Sequence, residues 1–308
     1  MDKIIFFHMN QLGDLLFSLP AVKAAKERSG AKIISVVKPS LAPLLISSGL
    51  ADEVIFKEKP LLKLIKNLRA DGLAGSKAVL FSESPGSVLA AYFSGIKERI
   101  GFESASLSFL LTKKSKRKGV PSLANNKELA LTAGFQNIQK DYTGILKIPS
   151  QNESNVKKWF EENNLNPLNA IAISVGASKN RKDKQLKSEK WADVINALQD
   201  KGFNCVLSGA AWEKDDLKAV AGICKNPPKL FTAENGVLDS AAFLKACKLF
   251  IGIDSGAMHL AAAVGTKCIG IFGHTDPLQI GPMPLENHII IKKDAMPQIM
   301  PRDIISKV

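Results

Sequence analysis

The clearest pattern in the chain is a pair of apolar runs with no polar alternation, Phe250–Ile253 and Cys268–Phe272. Runs of this kind predict strands buried on both faces, as in a parallel sheet covered by helices. Between them lie Asp254-Ser255-Gly256, a small-residue helical run from Ala257 to Val264, and Gly265. Strand, tight turn, helix, glycine stop and strand make a βαβ crossover. The N-terminal end has a similar layout. Lys3–His8 is apolar, a polar stretch runs to Gly13-Asp14, and Leu15, Leu16, Leu19, Val22 and Ala25 then fall at helical spacing. A strand at Ile33–Val37 and a helix from Leu41 to Ser48 follow, then strands at Val54–Phe56 and Ala78–Ser82. Pro149-Ser150-Gln151-Asn152 reads as a polar linker before a helix over Ser154–Asn163, and a second βα series starts at Ala170–Val175. The predicted fold class is α/β, with two facing doubly wound, Rossmann-like parallel-sheet domains at 1–150 and 151–308. The cleft between them is the expected ligand site.

Composition narrows the class. The 308 residues are 45% hydrophobic and 23% charged, enough for two ordinary cores. Cys205, Cys224, Cys247 and Cys268 show no C-x-x-C or metal-like spacing and read as buried thiols of a reducing compartment. The N-terminal apolar run is too short for a signal peptide, and no run approaches the roughly 20 residues of a membrane span. These features point to a cytoplasmic chain. The net charge of +13 favours an anionic partner, such as nucleic acid, a membrane surface or a phosphorylated ligand. An aromatic content of 6%, without an RNP-like or zinc-finger pattern, weakens the nucleic-acid option.

Candidate chemistry gathers where predicted strands end. Asp254 and Ser255 sit at a strand's C-terminal end and a helix N-terminus, where free N–H groups and the helix dipole suit a phosphate. Gly256 permits close approach of a ligand, and His259 lies one turn on. For an isolated D-S-G the more ordinary reading is a plain N-cap at Asp254 or Ser255, with His259 a satisfied side chain. A Ser-His-Asp hydrolase is disfavoured, because the three residues crowd one turn and no G-x-S-x-G elbow exists. Asp14 is either a dipole-stabilised first-turn carboxylate or a functional one. The dipole predicts that it stays charged and weakly basic. Residues 112–119, TKKSKRKG, read as a solvated loop or as a contact for anionic acceptors or headgroups. Residues 174–191 form a second basic loop, and Glu213 follows the strand at Val206–Ala210 as a surface carboxylate or a ribose acceptor.

Two of these motifs, in order, resemble those of glycosyltransferase family 9, the heptosyltransferase type. D-S-G-x-x-H-L-A-A-A-x-G at Asp254–Gly265, followed by Ile271-Phe272-Gly273, Thr275 and Pro277, resembles its donor-site signature. G-D-x-x-x-x-x-P at Gly13–Pro20 resembles its N-terminal signature, and Arg99–Gly101 its R-x-G turn. The resemblance implies a GT-B fold with an acceptor-side N-terminal domain, a donor-side C-terminal domain, and a last helix (about 297–308) crossing back onto the N-terminal domain.

The activity it implies is inverting transfer of a sugar, by default heptose from ADP-heptose, to a hydroxyl of a lipopolysaccharide-core or related acceptor. Asp14 would be the base. Ser178, Lys184, Glu213, Asp254, Ser255, Gly256, Ala257 and His259 would bind the donor, and Asn10 and Gly13 the acceptor. Lys184 is placed by counting back from Trp191, with Lys182 the alternative. Leu186 stands where the family carries Trp, and the family's C-terminal cysteines are missing.

No metal or other cofactor is implied. The partners would be a nucleotide-diphosphate-sugar and an anionic glycolipid, with a monomeric chain touching the cytoplasmic face of the inner membrane peripherally. Two other readings compete. An epimerase or dehydrogenase would want a G-x-G-x-x-G where Met9–Gly13 stands. A non-catalytic nucleotide- or glycan-binding protein on the same scaffold would tolerate Leu186 and the irregular basic loop.

Overall fold

The computed structural model describes residues 2–308 apart from Glu58, Asp71, Ala74, Val120 and 177–181, and of Lys182 the backbone alone. The chain divides into two compact units at Lys147/Ile148. The first holds β1 (Lys3–Phe7), α1 (Leu12–Arg28), β2 (Lys32–Val37), α2 (Ala42–Ser47), β3 (Glu53–Phe56), α3 (Leu61–Ala70), β4 (Lys77–Leu80), α4 (Pro85–Phe93), β5 (Glu98–Phe102), β6 (Lys113–Ser115) and α5 (Ser122–Thr132). Among the described residues these strands form one parallel sheet in the order β3-β2-β1-β4-β5-β6.

The second unit holds α6 (Ser150–Glu162), β7 (Ala170–Ser174), α7 (Ser188–Asp200), β8 (Asn204–Gly209), α8 (Lys214–Ala221), β9 (Lys229–Thr232), α9 (Val237–Ala246), β10 (Leu249–Ile253), α10 (Gly256–Ala263), β11 (Cys268–Phe272), α11 (Pro277–Ile280), β12 (Ile289–Lys292) and α12 (Pro301–Ile305). Its sheet runs β12-β11-β10-β7-β8-β9. Read from the β9 edge, that is the same order as in the first unit.

The central strands β1, β7, β10 and β11 are buried almost throughout, which is why their sequences lack alternation. In the first unit, α3 and α4 cover one face of the sheet, with Leu64, Ile65, Leu68, Val88 and Ala91 packed on Ile5, Phe7 and Leu80.

Several expectations shift. The polar segment at 149–152 is not a linker, because α6 already begins at Ser150 behind Pro149, whose fixed φ suits a helix start. The R-x-G motif is not a turn, because Arg99 to Gly101 lie inside β5. A Cβ at Gly101 would come within 2.9 Å of Leu111 Cδ1, so the glycine answers to packing. The basic run at 112–119 is not wholly a loop, since Lys113–Ser115 pair with Ile100–Phe102 as the edge strand β6. Within the second unit the closing segment adds to the core. Ile299 and Ile304 are buried with Trp191, Val194 and Ile195, and Lys190 Nζ donates to the carbonyls of Pro297 and Ile299 at 2.7 Å each.

Candidate functional site

In each sheet the strand order reverses beside the first strand laid down, between β1 and β4 and between β7 and β10. Doubly wound sheets bind ligands beyond the strand ends at such points. The candidate residues lie there.

In the second unit, β7 leads through Gly176 toward Lys184, and β10 leads into Asp254. The Lys184 ammonium donates to Asp254 Oδ2, with the two side chains only 13% and 7% exposed. Ser255 occupies the N-cap position of α10 yet makes no capping hydrogen bond, and its buried Oγ meets no partner among the described residues. The plain N-cap reading of Ser255 therefore fails. The helix start at Gly256 and Ala257 is partly open to solvent, and its N–H groups keep their capacity for an anion. His259 is buried one turn further on, and its pKa falls to about 4. Burial is the main cause, opposed by Asp254 and reinforced by Lys184 and His288. It is neutral at pH 7.

Glu213 closes a short 3₁₀ turn (Ala211–Glu213) after β8. Its carboxylate accepts the Ala210 N–H at 2.8 Å and lies where a Cβ on Gly176 would be, 2.0 Å from Oε1. Burial raises its pKa, so it is no solvated surface carboxylate. Ser178 lies outside the described residues, as do Ala177 and Lys179 to Arg181.

In the first unit, α1 starts at Leu12, which puts Gly13 and Asp14 in its first turn, with Asn10 exposed just before it. The expectation of a weakly basic Asp14 is reversed. Burial raises its pKa above the ordinary 3.8 and outweighs the opposing charge of Arg117. Arg117 is held as a fork, Nε and Nη2 donating to Glu83 Oε1 and Oε2 at 3.2 and 2.9 Å, with its guanidinium 4.4 Å from the Phe102 ring centroid. Ser104 Oγ also donates to Glu83. Nearby, Lys57 Nζ donates to the His8 carbonyl and to Ser82 Oγ, each at 3.2 Å. Ser82, Ser84 and Ser87 form a hydroxyl cluster after β4.

Glu83, Arg117, Lys57 and these serines escaped the sequence reading as a group. They come from three strand ends up to 60 residues apart in the chain, and no local spacing links them. The one available signal was that each follows a strand. Among the described residues, no group of three or more His, Cys, Asp or Glu side chains could hold a metal ion.

Two doubly wound α/β units, each with polar side chains at its strand-order reversal, have the architecture of GT-B glycosyltransferases. The sequence profile of Glycosyltransferase family 9 (heptosyltransferase) matches residues 63–306, and the chain belongs to that family. It is 40% identical over 91 residues to lipopolysaccharide heptosyltransferase 3 of Escherichia coli, covering 28% of this chain but only 26% of that relative. Its fold is similar to that of E. coli ADP-heptose lps heptosyltransferase II, with TM-score 0.82 and 20% identity over 99% of this chain and 97% of the other. It is also similar to E. coli heptosyltransferase WaaC with ADP, with TM-score 0.77 and 19% identity over 99% and 98% of the two chains.

Proposed function

We propose that this protein is an inverting glycosyltransferase that moves heptose from ADP-heptose to a hydroxyl of a lipopolysaccharide-core acceptor. The observation that carries this reading is the uncapped start of α10 beside the Lys184–Asp254 pair. Departure of a nucleoside diphosphate requires positive charge aimed at the diphosphate, and preorganised donors supply it with little reorganisation. Lys184 is the cation, oriented by Asp254, and the first N–H groups of α10 with Ser255 complete the anion site. Neutral His259 adds a hydrogen-bonding ring without a second positive charge, and Glu213 accepts from ribose hydroxyls.

Asp14 takes the proton of the attacking acceptor hydroxyl. Its raised pKa, set by burial against the opposing charge of Arg117, makes it a better base than an exposed aspartate. The relatives named above are heptosyltransferases by title, one of them bound to ADP, which supports heptose and adenine as the donor's parts. The protein works on the cytoplasmic side of the membrane that carries its acceptor.

Thermal-shift titration with ADP, UDP, GDP and CDP, followed by a transfer assay with ADP-heptose and heptose-deficient lipopolysaccharide, tests the reading. ADP is expected to stabilise the wild type and the Asp14→Ala variant but not Lys184→Ala. Absence of any nucleotide shift together with absence of product would sink it.

A further inference from the structure

The outer side of the α3–α4 layer in the first unit is unlike the rest of the surface. Four large apolar side chains stand in water there: Leu62 is 76% exposed, Tyr92 43%, Phe93 49% and Phe109 73%. Isolated exposed hydrophobics are ordinary, but these four belong to one structural layer. Arg69 at the end of α3 donates twice to the Phe93 carbonyl, at 2.9 and 2.7 Å, tying the two helix ends together. The Tyr92 and Phe93 rings meet edge-on at 5.3 Å, and the Arg99 guanidinium lies 5.3 Å from the Tyr92 ring centroid. Arg99 Nε also donates to the Leu110 carbonyl at 2.8 Å, which brings in the 3₁₀ turn Ser108–Leu110 that displays Phe109.

Among the described residues, basic side chains outnumber acidic ones around these four. Helix α3 carries Lys63, Lys66 and Arg69 with no acidic residue. Lys97 follows α4, and Lys114 and Lys116 extend the basic side along the exposed edge of β6. Of the described acidic residues in this stretch, Glu98 is paired with Lys77 and Lys113, and Glu83 with Arg117.

We propose that this face docks on an anionic lipid bilayer, with Leu62, Phe93 and Phe109 entering the headgroup region and the lysines meeting lipid phosphates. Large apolar side chains set among lysines are the signature of interfacial membrane binding. A protein partner would favour a surface in which lysine is depleted, since lysine is scarce in protein–protein interfaces. Tyrosine at the rim suits the interface depth, where an amphipathic ring has one dry and one wet end.

Co-sedimentation of the full chain with phosphatidylcholine vesicles, with and without phosphatidylglycerol, reads the proposal directly. Binding is expected only with the anionic lipid and should weaken as salt rises. The double variant Lys63→Gln/Lys66→Gln should bind roughly 25-fold more weakly, at about five-fold per basic side chain near the surface. Leu62→Ser should lose roughly ten-fold, as expected for withdrawing one leucine from an apolar environment. A Phe109→Trp variant keeps the patch and reports insertion. Its added fluorescence should shift blue and be quenched by brominated lipids. All these positions are exposed, so unchanged melting temperatures verify folding. Equal binding to neutral vesicles, no binding at all, an unquenched signal, or lipid-free dimerisation abolished by Leu62→Ser would each overturn the proposal. None of these measurements needs a nucleotide sugar, so their failure is distinct from failure of the transfer reading.

Discussion

The two units repeat one strand order but use the same turn in opposite ways. After the fourth strand of the first unit, Ser84 caps α4 by accepting the Ser87 N–H at 3.3 Å. After the corresponding strand of the second unit, Ser255 stands at the same place and caps nothing. The first unit has satisfied its helix start internally and gathers a half-buried carboxylate, hydroxyls and a forked arginine instead. The second leaves its helix start open beside a buried ion pair. Charge divides in the same way. The first unit carries 22 basic and 12 acidic residues, net +10, and the second 20 and 17, net +3. One fold thus offers two chemistries, and the difference lies in which backbone groups are left for a ligand.

The largest expected effect breaks the first unit's half of this contrast. Asp14→Asn should lower kcat by about 100- to 10,000-fold, the range for a lost general base, with ADP binding retained. The same variant should melt higher at neutral pH. A carboxyl whose folded pKa is raised contributes stability below its unfolded pKa and loses it as pH rises, so removing the charge helps the fold. Wild-type kcat/KM should fall on the acid side through a pKa above 3.8. Arg117→Gln should move that limb to higher pH, because Arg117 holds the Asp14 pKa down. A limb that stayed in place would separate Arg117 from the base.

The second unit's half is tested at the ion pair. Lys184→Ala strands a buried carboxylate and should cost about 3–5 kcal/mol in urea unfolding. Lys184→Met/Asp254→Asn should recover most of that stability and still fail to bind ADP. Recovery of binding as well would remove Lys184 from the anion site.

Both units should share one weakness in acid. His8 is buried on Ser18 and Ser35, and its pKa falls to about 3, mainly from burial and then from the charge of Lys57. The Ser18 hydroxyl already donates to the Leu15 carbonyl at 2.6 Å, so His8 Nδ1 carries the proton and Nε2 accepts from Ser35. With His259 at about 4, the unfolded chain takes up protons at two sites that the fold resists. The stability these two histidines contribute is full above pH 6.5 and is lost as pH falls toward 4 and 3. Replacing His8 by Gln should flatten that dependence in urea midpoints measured from pH 7 to pH 4.

The smallest effect addresses the serine contrast itself. Ser84→Ala should cost about 0.5–2 kcal/mol of stability, the usual worth of a cap. Ser255→Ala should leave the melting temperature nearly unchanged and weaken ADP binding. Equal stability losses would mean that the two turns do the same work.

The βαβ core was legible in the sequence because strands buried on both faces cannot alternate, and because glycine and Asp-Ser-Gly mark the ends of the helix between them. Asp14, Lys184 and Asp254 stood out as candidates through motif spacing. The short edge strand β6 was not, since half its surface faces water and its lysines read as a loop. The grip of Glu83 on Arg117 spans 34 residues and depends on tertiary folding alone. The behaviour of Asp14 was misjudged for a related reason. A helix start is a local fact that favours the charged form, whereas the burial that overrides it is a property of the whole unit.

Each of the four strands at the sheet margins, β3, β6, β9 and β12, has three or four residues and a charged side chain at one end or along it. A bare margin is a template on which another chain can add a strand, and long apolar margins seed fibrous aggregates. Here the templates are too short and too charged to be copied. The net positive charge, with a pI near 9.5, adds repulsion between copies to this guard against edge-to-edge joining. Exchanging Lys113 and Lys114 for valines would convert that guarded margin into a nucleation site, even though nothing in either candidate site had changed.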